Sequence, residues 1–214
     1  MESLRHLGRP AEREAEGLLV LHHGRGADER DLLGLADVLD PGRRLRVVTP
    51  RAPLTLPGSP GYHWYLVPRV GYPDPETFHA ARRALAGLHD RLWEETGIEP
   101  ARTVLGGFSM GTVMSYAMAL GVDRPVVAGV LAFSGFLPVV DDWEPALRDR
   151  WETRVFVAHG RRDPIIDVGF ARGARELLEG AGLEVEYRES DVGHQIDPAA
   201  LTPAKEWLES ALSD

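Results

Sequence analysis

Three residues, Ser109, Asp163 and His194, have the types and settings that nucleophilic acyl chemistry requires. A serine hydroxyl is a weak nucleophile at neutral pH; it needs an adjacent base, and the base needs a third group to orient it. Ser109 lies in Gly107-Phe108-Ser109-Met110-Gly111, between the apolar, β-branched run Thr103-Val104-Leu105 and a helix-compatible run from Val113 to Leu120. Strand, sharp turn and helix is the setting that turns a G-x-S-x-G pattern into a nucleophile elbow. Such an elbow strains the serine backbone and needs small residues two before and two after it. Asp163 stands in His159-Gly160-Arg161-Arg162-Asp163-Pro164, directly after the run that ends at Ala158. His194 follows Gly193, on a loop after the run that ends at Glu189. All three fall at the carboxyl ends of predicted strands, in the order serine, acid, histidine.

Other histidines and acids compete for these roles. His22, His23, His63 and His159 precede the serine or sit inside strand-end motifs, and read as structural or pocket-lining. Asp167 falls where a helix should begin and reads as its cap; Asp191 lies too close to His194 along the loop to orient it easily. A tetrahedral intermediate also needs preorganised donors for its oxyanion. The backbone N–H of Met110, just after the nucleophile at a helix N-terminus, is one candidate. The other is the N–H of Arg25, in the glycine-rich turn His23-Gly24-Arg25-Gly26. Trp64, Tyr65, Phe136 and Ile165 are the candidate lining of an apolar acyl pocket.

These residues need a scaffold that brings strand ends together. Residues 17–23 and 126–133 are continuous apolar runs, the signature of strands covered on both faces, and 45–49 and 154–158 read as further short strands. Helical spacing recurs at 28–39, with Asp28 as the expected cap, at Glu76 or Thr77 to Thr96 with Gly97 as the stop, at 109–120, at 168–179 and at 203–212. Residues 1–16 read as a polar lead-in with a short edge strand, and 184–189 alternates as an edge strand does. Strands alternating with helices imply an α/β fold with a mostly parallel central sheet and helices on both faces, in one domain over 1–214. Residues 50–76 differ in kind: prolines and glycines interrupted by Tyr62, Trp64, Tyr65 and Tyr72 suggest a flap over a pocket.

Composition narrows the partners. The chain carries a formal net charge of -9, which disfavours a nucleic-acid backbone or an anionic membrane surface. It has no cysteine, so disulfides, thiolate metal sites and a cysteine nucleophile are excluded. No apolar stretch approaches membrane-spanning length and the first residues lack a signal-peptide core, so a cytoplasmic protein is expected.

The pieces Leu21-His22-His23-Gly24-Arg25-Gly26-Ala27-Asp28, Gly107-Phe108-Ser109-Met110-Gly111, Ser134-Gly135-Phe136-Leu137-Pro138, His159-Gly160-Arg161-Arg162-Asp163-Pro164 and Gly193-His194 occur in the right order across nearly the whole chain. Together they resemble the carboxylesterase/phospholipase family of α/β-hydrolases, which includes the acyl-protein thioesterases. The resemblance implies the α/β-hydrolase fold and a serine esterase of short to medium acyl chains, with no metal and no cofactor. It implies that Trp64 and Tyr65 match an aromatic pair in the family's substrate loop, and it allows a homodimer. Thioesterase, lysophospholipase and small-peptide hydrolase activities are alternatives within the same chemistry; a non-catalytic binding protein on this scaffold is the remaining one. Met110 stands where the eukaryotic thioesterases usually carry glutamine, and Arg25 where an apolar residue is common. Both departures weigh against long-chain protein deacylation and leave the ester chemistry untouched.

Overall fold

In the computed structural model, which describes residues 4–213, seven strands form one sheet in the order β1-β3-β2-β4-β5-β6-β7. The strands are β1 (His6–Arg9), β2 (Leu18–His22), β3 (Arg46–Pro50), β4 (Thr103–Phe108), β5 (Gly129–Phe133), β6 (Arg154–Gly160) and β7 (Val185–Ser190). β1 pairs antiparallel with β3; every other pairing is parallel. The short edge strand expected in the lead-in is therefore β1, while Met1 to Ser3 of that segment lie outside the described residues.

The apolar runs are continuous because both faces of the sheet are covered. Alternate residues divide cleanly: Leu18, Val20, Leu105, Val130, Val155 and Val157 pack under α2 (Pro75–Thr96), α3 (Met110–Ala119) and α4 (Val168–Gly180). Leu19, Leu21, Val104, Leu131, Phe133 and Phe156 pack under α1 (Leu33–Leu39) and α5 (Leu201–Ala211). Every residue of α3 is buried, and its two hydroxyl-bearing aliphatic side chains bond to the backbone: Thr112 Oγ1 donates to Gly107 O at 2.6 Å and Ser115 Oγ to Gly111 O at 3.0 Å.

Several boundaries differ from the sequence expectation, each for a local reason. Asp28 does not cap a helix; its carboxylate accepts from Arg30 N at 2.8 Å, a side-chain turn that competes with helix, and α1 starts only at Leu33. α2 starts at Pro75, earlier than Glu76, because Asp74 caps it by accepting from Thr77 N and proline suits the first helical position. β5 is shorter than 126–133, and β6 runs two residues beyond Ala158 because β7 pairs alongside, with His159 opposite Glu189 and Gly160 opposite Ser190. The terminal helix begins at Leu201 rather than Pro203, after a single turn at Pro198–Ala200 capped by Asp197.

Residues 51–74 carry isolated bridges only. Tyr62 N donates to Ala27 O at 2.8 Å and Gly26 N to Tyr62 O at 2.9 Å, so this segment is stitched to the turn after β2. Arg51 reinforces the stitch: its guanidinium forks onto the buried Glu29 carboxylate at 2.5 Å through each of two nitrogens and reaches Tyr62 Oη at 2.9 Å. Those hydrogen bonds hold the Glu29 carboxyl down at about 2 against the opposing effect of burial.

Candidate active site

Ser109 occupies the corner between β4 and α3 with φ 55° and ψ −118°, a left-handed backbone that a non-glycine residue adopts only under constraint. The constraint is visible. Ser109 N donates to Phe133 O at 2.9 Å, and α3 leaves the corner so close to β2 that a Cβ on Gly111 would overlap the His22 carbonyl. This close approach is why Gly111 must be glycine; it also leaves the hydroxyl clear of the sheet.

Ser109 Oγ lies 2.9 Å from His194 Nε2, and His194 Nδ1 lies 2.7 Å from Asp163 Oδ2. With Nδ1–H donated to the carboxylate, Nε2 is left as the acceptor for the serine proton. The other carboxylate oxygen, Oδ1, accepts from the N–H groups of Ile165 at 2.8 Å and Ile166 at 2.9 Å. Burial pushes the Asp163 carboxyl up, but the Ile166 N–H, the His194 hydrogen bond and the Ile165 N–H outweigh it and hold the group below its ordinary value. The Phe108 ring lies against the imidazole, 4.9 Å between centroids.

The loop that carries His194 is anchored to the Asp163 turn by the backbone. Arg161 N donates to Ser190 O at 2.7 Å and Arg162 N to Val192 O at 3.1 Å. A Cβ on Gly160 would run into the Val192 and Gly193 carbonyls, so glycine at the end of β6 is what lets the two loops touch. The competing acids are engaged elsewhere: Asp191 pairs with Arg161 Nε at 2.9 Å, and Asp167 caps α4 by accepting from Gly169 N at 2.7 Å.

The N–H of Met110, at the first position of α3, has no intrahelical acceptor and stands at the positive end of the helix dipole. Arg25 lies in the turn after β2 with its side chain exposed. His23 fixes that turn. Ala52 N donates to His23 Nε2 at 3.0 Å, so the ring proton is on Nδ1, which donates to Gly24 O at 2.7 Å. Burial lowers the His23 pKa, keeping the ring neutral in this arrangement. Trp64 is fully buried below the turn; its Nε1 donates to His23 O at 2.9 Å and its backbone N–H points at Met110 Sδ, 3.3 Å away. Tyr65 is also buried, edge-on to Phe78, and Phe136 is buried against Phe170. Ile165 is 57% exposed, on the rim beside Asp163.

The structure thus brings Ser109, Asp163 and His194 into contact and sets Met110 next to them, while Trp64 and Tyr65 belong to the packed layer beneath the site. His23 and His159, read from sequence as structural or pocket-lining, make specific bonds to the turns that carry Arg25 and Asp163. Each precedes a glycine at a strand end (His23-Gly24, His159-Gly160), and that pairing was the available signal. Two clefts, of about 910 Å³ over the 137–146 loop and about 430 Å³ beside α4, are lined by neither Ser109 nor His194. The candidate site is defined by side-chain geometry rather than by cavity size. Among the described residues no group of three or more His, Cys, Asp or Glu side chains could hold a metal ion.

A mostly parallel sheet with a strained serine between strand and helix, and with histidine and aspartate on later strand-end loops, is an α/β-hydrolase arrangement. The chain belongs to the phospholipase/carboxylesterase family, whose model matches residues 9–212. It is therefore a hydrolase of the esterase/thioesterase group. It is 28% identical to acyl-protein thioesterase 1 of Debaryomyces hansenii over 179 residues, 78% of this chain and 77% of the relative. Among solved structures it resembles a carboxylesterase of Bacillus cereus (TM-score 0.83, 24% identity, 97% and 94% of the two chains), a likeness of fold. It also resembles esterase PE8 (TM-score 0.81, 28% identity, 98% and 100% of the two chains). No helix among the described residues is long and apolar enough to cross a membrane.

Proposed function

We propose that this protein is a serine carboxylesterase that hydrolyses short- to medium-chain carboxylic esters through an acyl-enzyme. The observation that carries the reading is the continuous chain Ser109 Oγ, His194 Nε2, His194 Nδ1, Asp163 Oδ2, at 2.9 and 2.7 Å. Ser109 attacks the ester carbonyl while His194 Nε2 takes its proton, and Asp163 holds the tautomer and stabilises the imidazolium. The N–H groups of Met110 and Arg25 receive the oxyanion. Collapse of the intermediate expels the alcohol, which takes the proton from His194. Water then attacks the acyl-enzyme by the same route, releasing the acid and restoring Ser109. Phe136 and Ile165 border the acyl group; Trp64 and Tyr65 support that wall from beneath, within the 50–76 segment that serves as the substrate loop.

The thioesterase reading is the alternative, favoured by the similarity to the Debaryomyces thioesterase. Both share the acyl-enzyme, so one experiment addresses the chemistry and sizes the pocket. A fluorophosphonate probe should label the wild type once, at Ser109, and p-nitrophenyl esters from acetate to palmitate should be hydrolysed fastest at short or medium chains. Ser109→Ala should lose roughly 10⁴-fold or more in kcat. Labelling that survives this substitution would identify a different nucleophile; labelling without ester turnover at any chain length would shift the substrate to thioesters.

A further inference from the structure

His159, near the end of β6, is 3% exposed. Its Nε2 lies 2.9 Å from the carbonyl oxygen of Ile166, which can only accept, so Nε2 carries the proton. The same nitrogen is 3.4 Å from Asp163 Oδ2, the oxygen bonded to His194. Nδ1 is buried with no hydrogen-bond partner among the described residues. The Ile166 peptide closes the arrangement. Its C=O receives His159 Nε2–H, and its N–H donates to Asp163 Oδ1 at 2.9 Å.

Building on the triad reading above, we infer that His159 is a positioning residue for the catalytic base. It clamps the Asp163 carboxylate through the Ile166 peptide, and its N–H dipole beside Oδ2 tempers the negative potential that holds the His194 imidazolium. Asp163 faces the two imidazoles and the N–H groups of Ile165 and Ile166; His194 faces Asp163, Ser109 and the Phe108 ring. The nearby cations are already directed to Asp191: Arg161 at 2.9 Å and Arg162 at 4.0 Å. A dipole at Oδ2 is therefore not masked by a free charge on the same turn.

The test is the pH dependence of p-nitrophenyl ester hydrolysis in His159→Phe and His159→Gln. Phenylalanine keeps the ring and removes the donor; glutamine offers an amide N–H near the position of Nε2. The Phe variant should lose about tenfold in kcat with KM within about twofold, as a mis-set base does. The acidic limb of its kcat/KM profile should move up by about half a pH unit, because Asp163 without the dipole retains the imidazolium to higher pH. Glutamine should return both toward wild type. A Phe variant with an unmoved limb, or a loss that glutamine does not rescue, overturns the inference. If the Phe variant does not fold, His159→Asn replaces it: that shorter amide falls short of Ile166 O, so identical Asn and Gln profiles also overturn it. Fluorophosphonate labelling run alongside separates the two levels. Label absent from Ser109 sinks the triad reading, whereas normal labelling with unshifted His159 variants sinks only the role of His159.

Discussion

The histidines at the carboxyl ends of the strands and those beneath them have opposite surroundings in one small protein. His194 and His23 use both ring nitrogens, and His159 uses one on a carbonyl next to the Asp163 carboxylate. His22 and His89 lie deeper, tilted rings 5.6 Å apart and packed against Trp64 and Trp93. His22 donates from Nδ1 to Ser115 Oγ at 2.8 Å and leaves Nε2 unpaired; His89 has no partner at either nitrogen among the described residues. Burial pushes the pKa of both down, His89 to about 3, with Arg124 adding to the effect on His89 and with His89 and His23 adding to that on His22. At the strand ends, loops bring carbonyls and a carboxylate within reach of an imidazole, so hydrogen bonds set the orientation of each ring. One layer down, the same side chain is an apolar filler fixed in its neutral form.

The most severe way to break this contrast is to deprive His194 of its orienting carboxylate. Asp163→Asn keeps the shape of the side chain but presents an amide in place of the acceptor at Nδ1, so the imidazole adopts the wrong tautomer. We expect kcat to fall by about 10³- to 10⁴-fold with little change in KM. A loss below tenfold would mean that another acid orients the histidine, and Asp191, three residues away, would be the first to substitute. His23→Phe tests the other turn. It leaves Gly24 O and Ala52 N–H without their partners and frees the backbone that carries the Arg25 N–H. A drop in kcat of about 10²-fold is expected, comparable to losing one oxyanion donor. Turnover within twofold of wild type would show that the Trp64–His23 carbonyl bond and the Tyr62 bridge suffice to hold that turn.

The convergence of Ser109, Asp163 and His194 was legible because the parallel strands place their carboxyl ends on one edge, and each residue follows a recognisable strand pattern. The coordination of the turns was not. His159 reads as lying past a strand because the apolar run stops at Ala158; only the pairing with β7 shows that the strand continues and aims its ring at the Ile166 carbonyl. Trp64 sits in a stretch rich in proline and glycine, where no periodicity indicates which side chains turn inward, and its burial depends on the stitch between Tyr62 and Ala27. Asp28 satisfies every local rule for a helix cap, and a two-residue side-chain bond to Arg30 N prevailed instead. What escaped the sequence in each case was a hydrogen bond whose partner is fixed by tertiary structure or by a competing local turn.

The buried pair yields the smallest effect, and one that separates stability from catalysis. A histidine whose folded-state pKa lies below its unfolded value contributes stability that is complete above about pH 6.5 and is lost as the pH falls, since only the unfolded chain takes up the proton. For His89, held at about 3, the loss continues through the whole acidic range down to that value. Between pH 6.5 and 5 it amounts to about 2 kcal/mol from this residue alone. That window lies above the range where Glu29 and Glu189, both held at about 2 by their arginine partners, begin to lose their own contribution. His89→Leu removes a titrating group and two unpaired nitrogens for a side chain of comparable size, so urea midpoints at pH 7 should change little or rise. At pH 5 the variant should be more stable than wild type, and the pH slope should be shallower by about one proton, with ester hydrolysis at pH 7 unaffected. An unchanged slope would mean that His89 finds a hydrogen-bonding partner and titrates in the folded protein, and the division between strand-end and interior histidines would fail at that residue.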